Sequence, residues 1–187
     1  MKRPTVLFDV DGPLTDGFAE TLCAHLREKG FLAWPRLITG WDTFKAFGVP
    51  PVIEREVRAR LQARGVAQSF PVRDGALALV EELRRWADVY AVTAPLDGSP
   101  TWAYDRETWL HDKLGFERWE VISARDKRIV RGDAFVDDKH SSVVAWQNAH
   151  PAGVAVLWRE AHNAADSWSR VASTYDGLRE WLSALRR

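Results

Sequence analysis

The sequence predicts a doubly wound α/β fold, a parallel sheet with helices on both faces, and three observations carry that prediction. From residue 74 onward, short apolar runs alternate with helix-period segments, the rhythm of βα units. The runs themselves ("TVLFDV", "VYAVTA", "AFVDD", "GVAVLW") are almost continuously apolar, as strands buried on both faces read. One interval, residues 11 to 73, is longer than a crossover needs, so an insertion decorates the first connection.

Taken in order, "TVLFDV" (5–10) is the first strand by its β-branched and aromatic content. "DGFAETLCAHLREKG" (16–30) follows as a helix, with Asp16 in the N-cap place and Gly30 as its stop. Residues 31–50 read as irregular, rich in Trp, Phe, Gly and Pro. "PPVIEREVRARLQARG" (50–65) is a second helix, whose Ile53, Val57 and Leu61 make one apolar stripe and whose Gly65 closes it. A helix at 74–87, a strand at 89–94, a helix at 101–115 and a strand at 119–123 come next. Then come a strand at 134–138, a helix at about 139–149, a last strand at 153–158 and a closing helix at 176–187. The expected organisation is a Rossmann-like core, residues 1–15 and 71–187, with a small helical cap, 16–70. That cap would sit beside the end of the first strand, where open α/β sheets bind ligands.

Composition narrows the partners. With 187 residues, 46% hydrophobic and 28% charged, the chain has ample material for one domain's core. Its 26 basic and 26 acidic residues leave no basic excess, so neither a nucleic-acid polymer nor a membrane surface is an expected partner. A small polyanion needs only a local positive cluster. The single cysteine, Cys23, excludes an internal disulfide and a thiolate metal site, and is expected to pack in the first helix. Val6-Leu7-Phe8 is too short for a signal-peptide core, and no run is long enough to span a bilayer, so the expected location is cytoplasmic. The ten tryptophans follow no period and read as core and boundary aromatics.

Chemistry enters with "DVDGPLTD". Asp9, Asp11 and Asp16 repel one another and tolerate burial poorly, so folding alone would not select them at a strand end. Asp9 and Asp11 are two residues apart, so an extended backbone turns both to one side, and Gly12-Pro13 then turns the chain. Paired carboxylates need a shared proton or a cation, and oxygen-only ligands favour a hard ion such as Mg²⁺. Asp137-Asp138 end another strand, Thr93 ends a third, and Lys127 follows a fourth. In a parallel sheet all four segments meet at one lip. Carboxylates, a hydroxyl and an ammonium around one point make a site for a phosphate with magnesium.

"FDVDGPLTD", "VTAP", "RDK" and "GDAFVDDK" resemble the four motifs of the haloacid dehalogenase superfamily of aspartate-nucleophile phosphohydrolases. Within it the chain is most similar to the 5′(3′)-deoxyribonucleotidases. The run "RDKRIVRGDAFVDDK" (125–139) carries that likeness, as do "SFPVRDGALALVEELR" (69–84) and the Tyr104 to Trp109 spacing. The resemblance covers most of residues 4–145.

It implies that Asp9 attacks phosphorus and that Asp11 is the general acid and then the base; dehalogenases of the superfamily lack an acid at this second position. It also implies phosphate binding by Thr93, the adjoining Ala94 and Lys127. Arg106, standing where some members carry a lysine, would share that role. Mg²⁺ would be held by the Asp9 carboxylate, the backbone carbonyl of Asp11 and the Asp138 carboxylate, with Asp137 supporting them. Asp133 would support the same shell or shape its turn.

The cap matches the family less well, and Pro13 departs from its usual small aliphatic residue. Trp41, Phe44 and Phe47 are aromatics that could stack a nucleobase or pack the cap; Trp41, after a glycine, is preferred, with Phe18 a further candidate. None of the histidines 25, 111, 140, 150 and 162 has zinc-ligand spacing or a nucleophile partner, and His140 is expected at the surface. The implied activity is a Mg²⁺-dependent phosphomonoesterase acting on deoxyribonucleoside monophosphates, with the first helix and the cap closing over the substrate. A sugar phosphate or modified nucleotide is the alternative substrate. A non-catalytic phosphate-binding or interaction protein is the alternative class. A homodimer is expected by analogy alone.

Overall fold

The structure, a computed structural model, describes residues 2–186. Strands β1 (Thr5–Phe8), β2 (Asp88–Thr93), β3 (Val121–Ser123), β4 (Ala134–Asp137), β5 (Val154–Trp158) and β6 (Val171–Ala172) form one sheet in the order β3-β2-β1-β4-β5-β6. Every pairing is parallel. β1 is flanked by β2 and β4, with Phe8 in register with Ala91 on one side and Val136 on the other. The sheet is the doubly wound one the sequence predicts.

Alternation along β1 divides the core. Val6 and Phe8 point to one face and pack with Leu79, Val80 and Leu83 of α4 (Ala76–Arg84), Trp109 and Leu110 of α5 (Trp102–Leu114), and Leu178 and Leu182 of α7 (Tyr175–Ser183). Leu7 points to the other face, with Phe135, Leu157 and the Val143 and Trp146 of α6 (His140–Ala149). Trp146 stacks on Phe135 with ring centroids 5.4 Å apart, and its Nε1 donates to the Val130 oxygen at 2.9 Å. Trp102, Trp109, Trp146 and Trp158 are buried while Trp41 and Trp119 lie exposed, so the tryptophans serve both core and surface.

The insertion holds α1 (Gly17–Glu28), α2 (Thr43–Ala46) and α3 (Pro51–Leu61) around a cluster of its own: Leu22, Cys23, Leu26, Phe44, Val57 and Leu61. Cys23 is buried there, and no helix among the described residues is long and apolar enough to cross a membrane.

Several local expectations need correction. β5 is not the last strand: β6 pairs with Leu157 and Trp158, and two residues are too few to leave a periodic signal. Asp16 makes no cap bond; the Thr15 hydroxyl accepts from Gly17 N at 2.9 Å, and Asp16 instead pairs with Arg73. The second helix ends at Leu61, and Gly65, at φ +77°, shapes the turn after it. α2 arises inside the stretch read as irregular, where Asp42 accepts from Lys45 N at 3.1 Å. The closing helix stops at Ser183, with a 3₁₀ turn over Ala184–Arg186; its expected last residue, Arg187, lies outside the described residues, as does Met1 of the expected core.

Candidate active site

Because all six strands run in one direction, their C-terminal ends share one edge. Asp9 leaves β1 there, its N–H still donating to the Val136 oxygen at 2.8 Å, which holds it beside Asp137 at the end of β4. Thr93 ends β2, buried. Lys127 opens a 3₁₀ turn (Lys127–Ile129) beyond β3, with the Asp126 side chain accepting from Arg128 N at its start. Gly12 turns the chain with φ +84°, and a Cβ there would stand 2.7 Å from Asp138 Oδ2, so only glycine permits this approach.

The charges converge tightly. Lys127 Nζ lies 2.8 Å from Asp9 Oδ1 and 2.7 Å from Asp137 Oδ2. Asp9 Oδ1 also accepts from Val10 N at 2.7 Å, and Asp137 Oδ1 accepts from Lys139 N at 2.7 Å. Burial opposes the charge on Lys127, but Asp137 and Asp9 outweigh it and hold its pKa above the ordinary lysine value. Burial, reinforced by Asp9, pushes the Asp137 carboxyl up to about 6 against the pull of Lys127. Burial and the neighbouring Asp9 and Asp137 raise Asp138 well above the carboxylate range. Burial also raises Asp11, a rise that Arg106 opposes.

A divalent cation fits this arrangement. Asp9, Asp137 and Asp138 offer oxygens that all lie within 4.8 Å of one another. Lys127 pairs with Asp9 and Asp137 but not with Asp138, so the three carboxylates outnumber the one ammonium and leave negative charge for a hard cation to balance. Asp138 Oδ1 is buried with no hydrogen-bond partner among the described residues, an orphaned acceptor where a ligand atom is wanted.

Above the cluster opens a cleft of about 570 Å³, a volume suited to a small ligand. Asp9, Asp11, Lys127, Asp137, Asp138 and Ala94 line it from the sheet, and Phe18, Trp41 and Phe44 from the insertion. Trp41 is 59% exposed, with Lys139 Nζ 4.4 Å from its ring centroid and His162 edge-on at 5.4 Å. Phe18 stands edge-on to Trp102 at 6.2 Å. Phe44 is largely buried in the insertion's own cluster, and the guanidinium of Arg58 lies 4.6 Å from its ring centroid. Phe47 packs half-buried against that cluster. Thr93 and Arg106 are not among the lining side chains; Arg106 is fully buried and both oxygens of Asp11 lie 2.7 Å from its Nη2. Its expected phosphate contact is therefore replaced by an ion pair. Asp133 sits at the far end of β4, where it accepts from Thr5 N at 2.7 Å and fixes register rather than supporting the acidic cluster.

Other residues reach the site without a sequence signal. His162 donates from Nε2 to the Asp138 backbone oxygen at 3.2 Å, and burial holds its imidazole below the ordinary value. Asn163 donates to the same oxygen at 2.6 Å. Arg73 pairs with both Asp16 and Glu160, two further cleft residues, across the mouth of the first loop. His140 is half-buried and lies edge-on to Trp168, away from the cleft lining.

Known proteins resemble this chain in sequence and in fold. The family model described as "5′ nucleotidase, deoxy (Pyrimidine), cytosolic type C protein" matches residues 3–179. The chain is 28% identical to the human cytosolic-type 5′(3′)-deoxyribonucleotidase over 97% of its own length and 94% of that protein's. It is 23% identical to the human mitochondrial 5′(3′)-deoxyribonucleotidase over 84% and 71% of the two lengths. Among solved structures, a haloacid dehalogenase-like protein of unknown function from Agrobacterium tumefaciens shares the fold with a TM-score of 0.67, at 15% identity and with 100% of both chains covered. A haloacid dehalogenase-like family hydrolase from Streptococcus pneumoniae shares it with a TM-score of 0.66, at 12% identity, covering 96% of this chain and 98% of that one.

Proposed function

The chain belongs to the family of cytosolic type C deoxy (pyrimidine) 5′ nucleotidases, with the haloacid dehalogenase fold, and on that premise we propose that it dephosphorylates deoxyribonucleoside monophosphates. The observation that carries the chemistry is the buried cluster in which Lys127 grips Asp9 and Asp137 while an oxygen of Asp138 is left unpaired. The deoxynucleotide assignment is supported by the family match and by the aromatic Trp41 and Phe18 in the cleft.

In the proposed reaction an oxygen of Asp9 attacks phosphorus, and the bond to the ester oxygen breaks as Asp11 gives that oxygen its proton. The product alcohol leaves and Asp9 carries the phosphoryl group. Asp11, now ionised, takes a proton from water; the hydroxide oxygen bonds to phosphorus, the Asp9–phosphorus bond breaks, and phosphate departs with Asp9 and Asp11 restored. Lys127 balances negative charge on the phosphoryl oxygens, assisted by the backbone at Ala94, just after Thr93 ends β2. Mg²⁺, which Asp9, Asp138 and the Asp11 carbonyl would hold with Asp137 in support, would supply positive charge that offsets the charge on the phosphate. The helices of residues 16–70 are proposed as a cap that keeps bulk water off the phosphorylated Asp9. A cytoplasmic location is proposed on the single, buried thiol of Cys23.

Phosphate release from deoxyribo- and ribonucleotides, as 5′ and 3′ esters, and from sugar phosphates tests this directly. Mg²⁺-dependent release concentrated on deoxynucleotides, abolished by chelator and by Asp9→Asn, is the expected result. Release indifferent to the base assigns the same chemistry to another small phosphomonoester. No release from any ester overturns the enzyme reading in favour of phosphate or partner binding.

A further inference from the structure

The environment of Arg106 gives it a role other than binding phosphate. Its side chain is fully buried and holds both oxygens of Asp11 at 2.7 Å from a single nitrogen, Nη2. Asp11 is the one carboxylate that Arg106 meets among the described residues. Nε and Nη1 have no hydrogen-bond partner there, so the only side-chain hydrogen bonds the guanidinium makes go to Asp11. Its surroundings are aromatic: its carbon lies 4.8 Å from the Trp102 ring centroid, 5.1 Å from Phe70 and 6.0 Å from Trp109. The walls are themselves locked, since Trp109 Nε1 donates to the Phe70 oxygen at 2.7 Å and Phe70 meets Trp102 edge-on at 6.1 Å. Asp11 is the part of the pair that reaches the cleft; Arg106 stands behind it.

We infer that Arg106 is a positioning residue, which holds the Asp11 carboxylate in the one orientation from which it can exchange protons with the ester oxygen and with water. Left alone at the edge of a cleft, an aspartate samples several rotamers, and proton transfer succeeds only from those aligned with the reacting oxygen. A rigid, permanently charged donor that addresses both oxygens removes that freedom. A phosphate could reach Arg106 only by displacing Asp11, which would remove the group that must protonate the leaving alkoxide. The phosphate's cation is Lys127, which does line the cleft.

This inference rests on the acid–base role proposed for Asp11, and the experiment separates the two. Wild type, Asp11→Asn, Arg106→Met and Arg106→Lys are compared on a deoxynucleoside 5′-monophosphate, whose alkoxide leaves only with a proton. They are also compared on p-nitrophenyl phosphate, whose phenolate leaves without one. Inhibition by inorganic phosphate reads phosphate affinity in every variant.

For Arg106→Met the expected result is a kcat lowered about tenfold to a hundredfold on the nucleotide and about threefold or less on the aryl ester. KM and the inhibition constant for phosphate should not change. Arg106→Lys, which keeps a cation in the aromatic cage with a single donor group, should fall between; it supplies the same comparison on a folded protein if the Met variant does not fold. Wild-type kcat in either folded variant, or a raised KM and weakened phosphate inhibition at unchanged kcat, overturns the inference. Asp11→Asn without loss on the nucleotide overturns the acid–base reading beneath it. Wild type without release from either ester overturns both.

Discussion

Lys127 illustrates how one residue can tie a proposed catalytic role to stability. Its ammonium is the only cation within reach of Asp9 and Asp137 among the described residues, and all three side chains are buried. Lys127→Met should therefore abolish turnover and also lower stability by roughly 3 kcal/mol, because buried charges left without their partner are expensive. Urea unfolding in chelator checks the second part, and an unchanged midpoint would contradict it. At this scale the sequence is most readable where acidic residues close an apolar run, and the structure brings Asp9, Asp137 and Asp138 together. Asp9, Asp11, Asp137 and Asp138 declare themselves because two acidic pairs at apolar strand ends have no folding rationale. Arg106, Arg73 and His162 declare nothing, because each acquires meaning from a partner far away in the chain: Asp11, Asp16 with Glu160, and Asp138.

The turn from β1 into α1 is the element on which the geometry depends. Its glycine lies where any side chain would strike Asp138. Gly12→Ala should leave the fold intact by circular dichroism yet lower Mg²⁺-dependent phosphate release about a hundredfold, the scale of loss a displacement near one ångström produces. Calorimetric titration should show weaker Mg²⁺ binding, since Asp138 is the residue pushed. The facing element is the segment carrying Trp41, wedged against Lys139 and His162. Trp41→Ala should raise KM for deoxynucleotides about fivefold to a hundredfold, the effect of about 1–3 kcal/mol of stacking, and leave kcat on p-nitrophenyl phosphate near wild type. A KM unchanged for both esters would assign Trp41 to packing instead. Element type was legible wherever an apolar run or stripe spans a full turn or strand. β6 and α2 were missed because two and four residues carry too little pattern, and their existence depends on neighbours rather than on propensity.

For the molecule as a whole, the acidic cluster predicts a coupling between pH, magnesium and stability. Asp137 has its folded pKa raised to about 6 and Asp138 lies well above its ordinary value, so the metal-free native state binds more protons than the unfolded chain. The sign follows: stability contributed here is present at mildly acid pH and is lost as pH rises through the folded pKa. Asp16, raised to about 6 by burial with Arg73 opposing and Glu160 reinforcing, adds in the same direction. Magnesium, which needs ionised carboxylates, should thus raise the melting temperature more at about pH 7.5 than at about pH 5. Asp16 carries part of the slope that magnesium leaves behind, and Asp16→Asn should make it shallower. An equal magnesium shift at both pH values would show that the cluster is not the binding site. The sheet order was legible only in outline: alternation announces parallel strands, but which strand neighbours β1 is settled by side-chain packing between distant segments.

That neighbour relation sets when the protein can first work. β1 ends at Phe8, and its partner β4 begins only at Ala134. During synthesis Asp9 emerges before β4 and waits, without the strand that positions it, while the intervening helices and strands are made. Closing so long a loop is slow, because its entropy is lost before the pairing gives anything back. Restored turnover after dilution from denaturant should therefore lag behind the recovery of helical signal, and a chain truncated before Asp138 should be silent however well its earlier helices form.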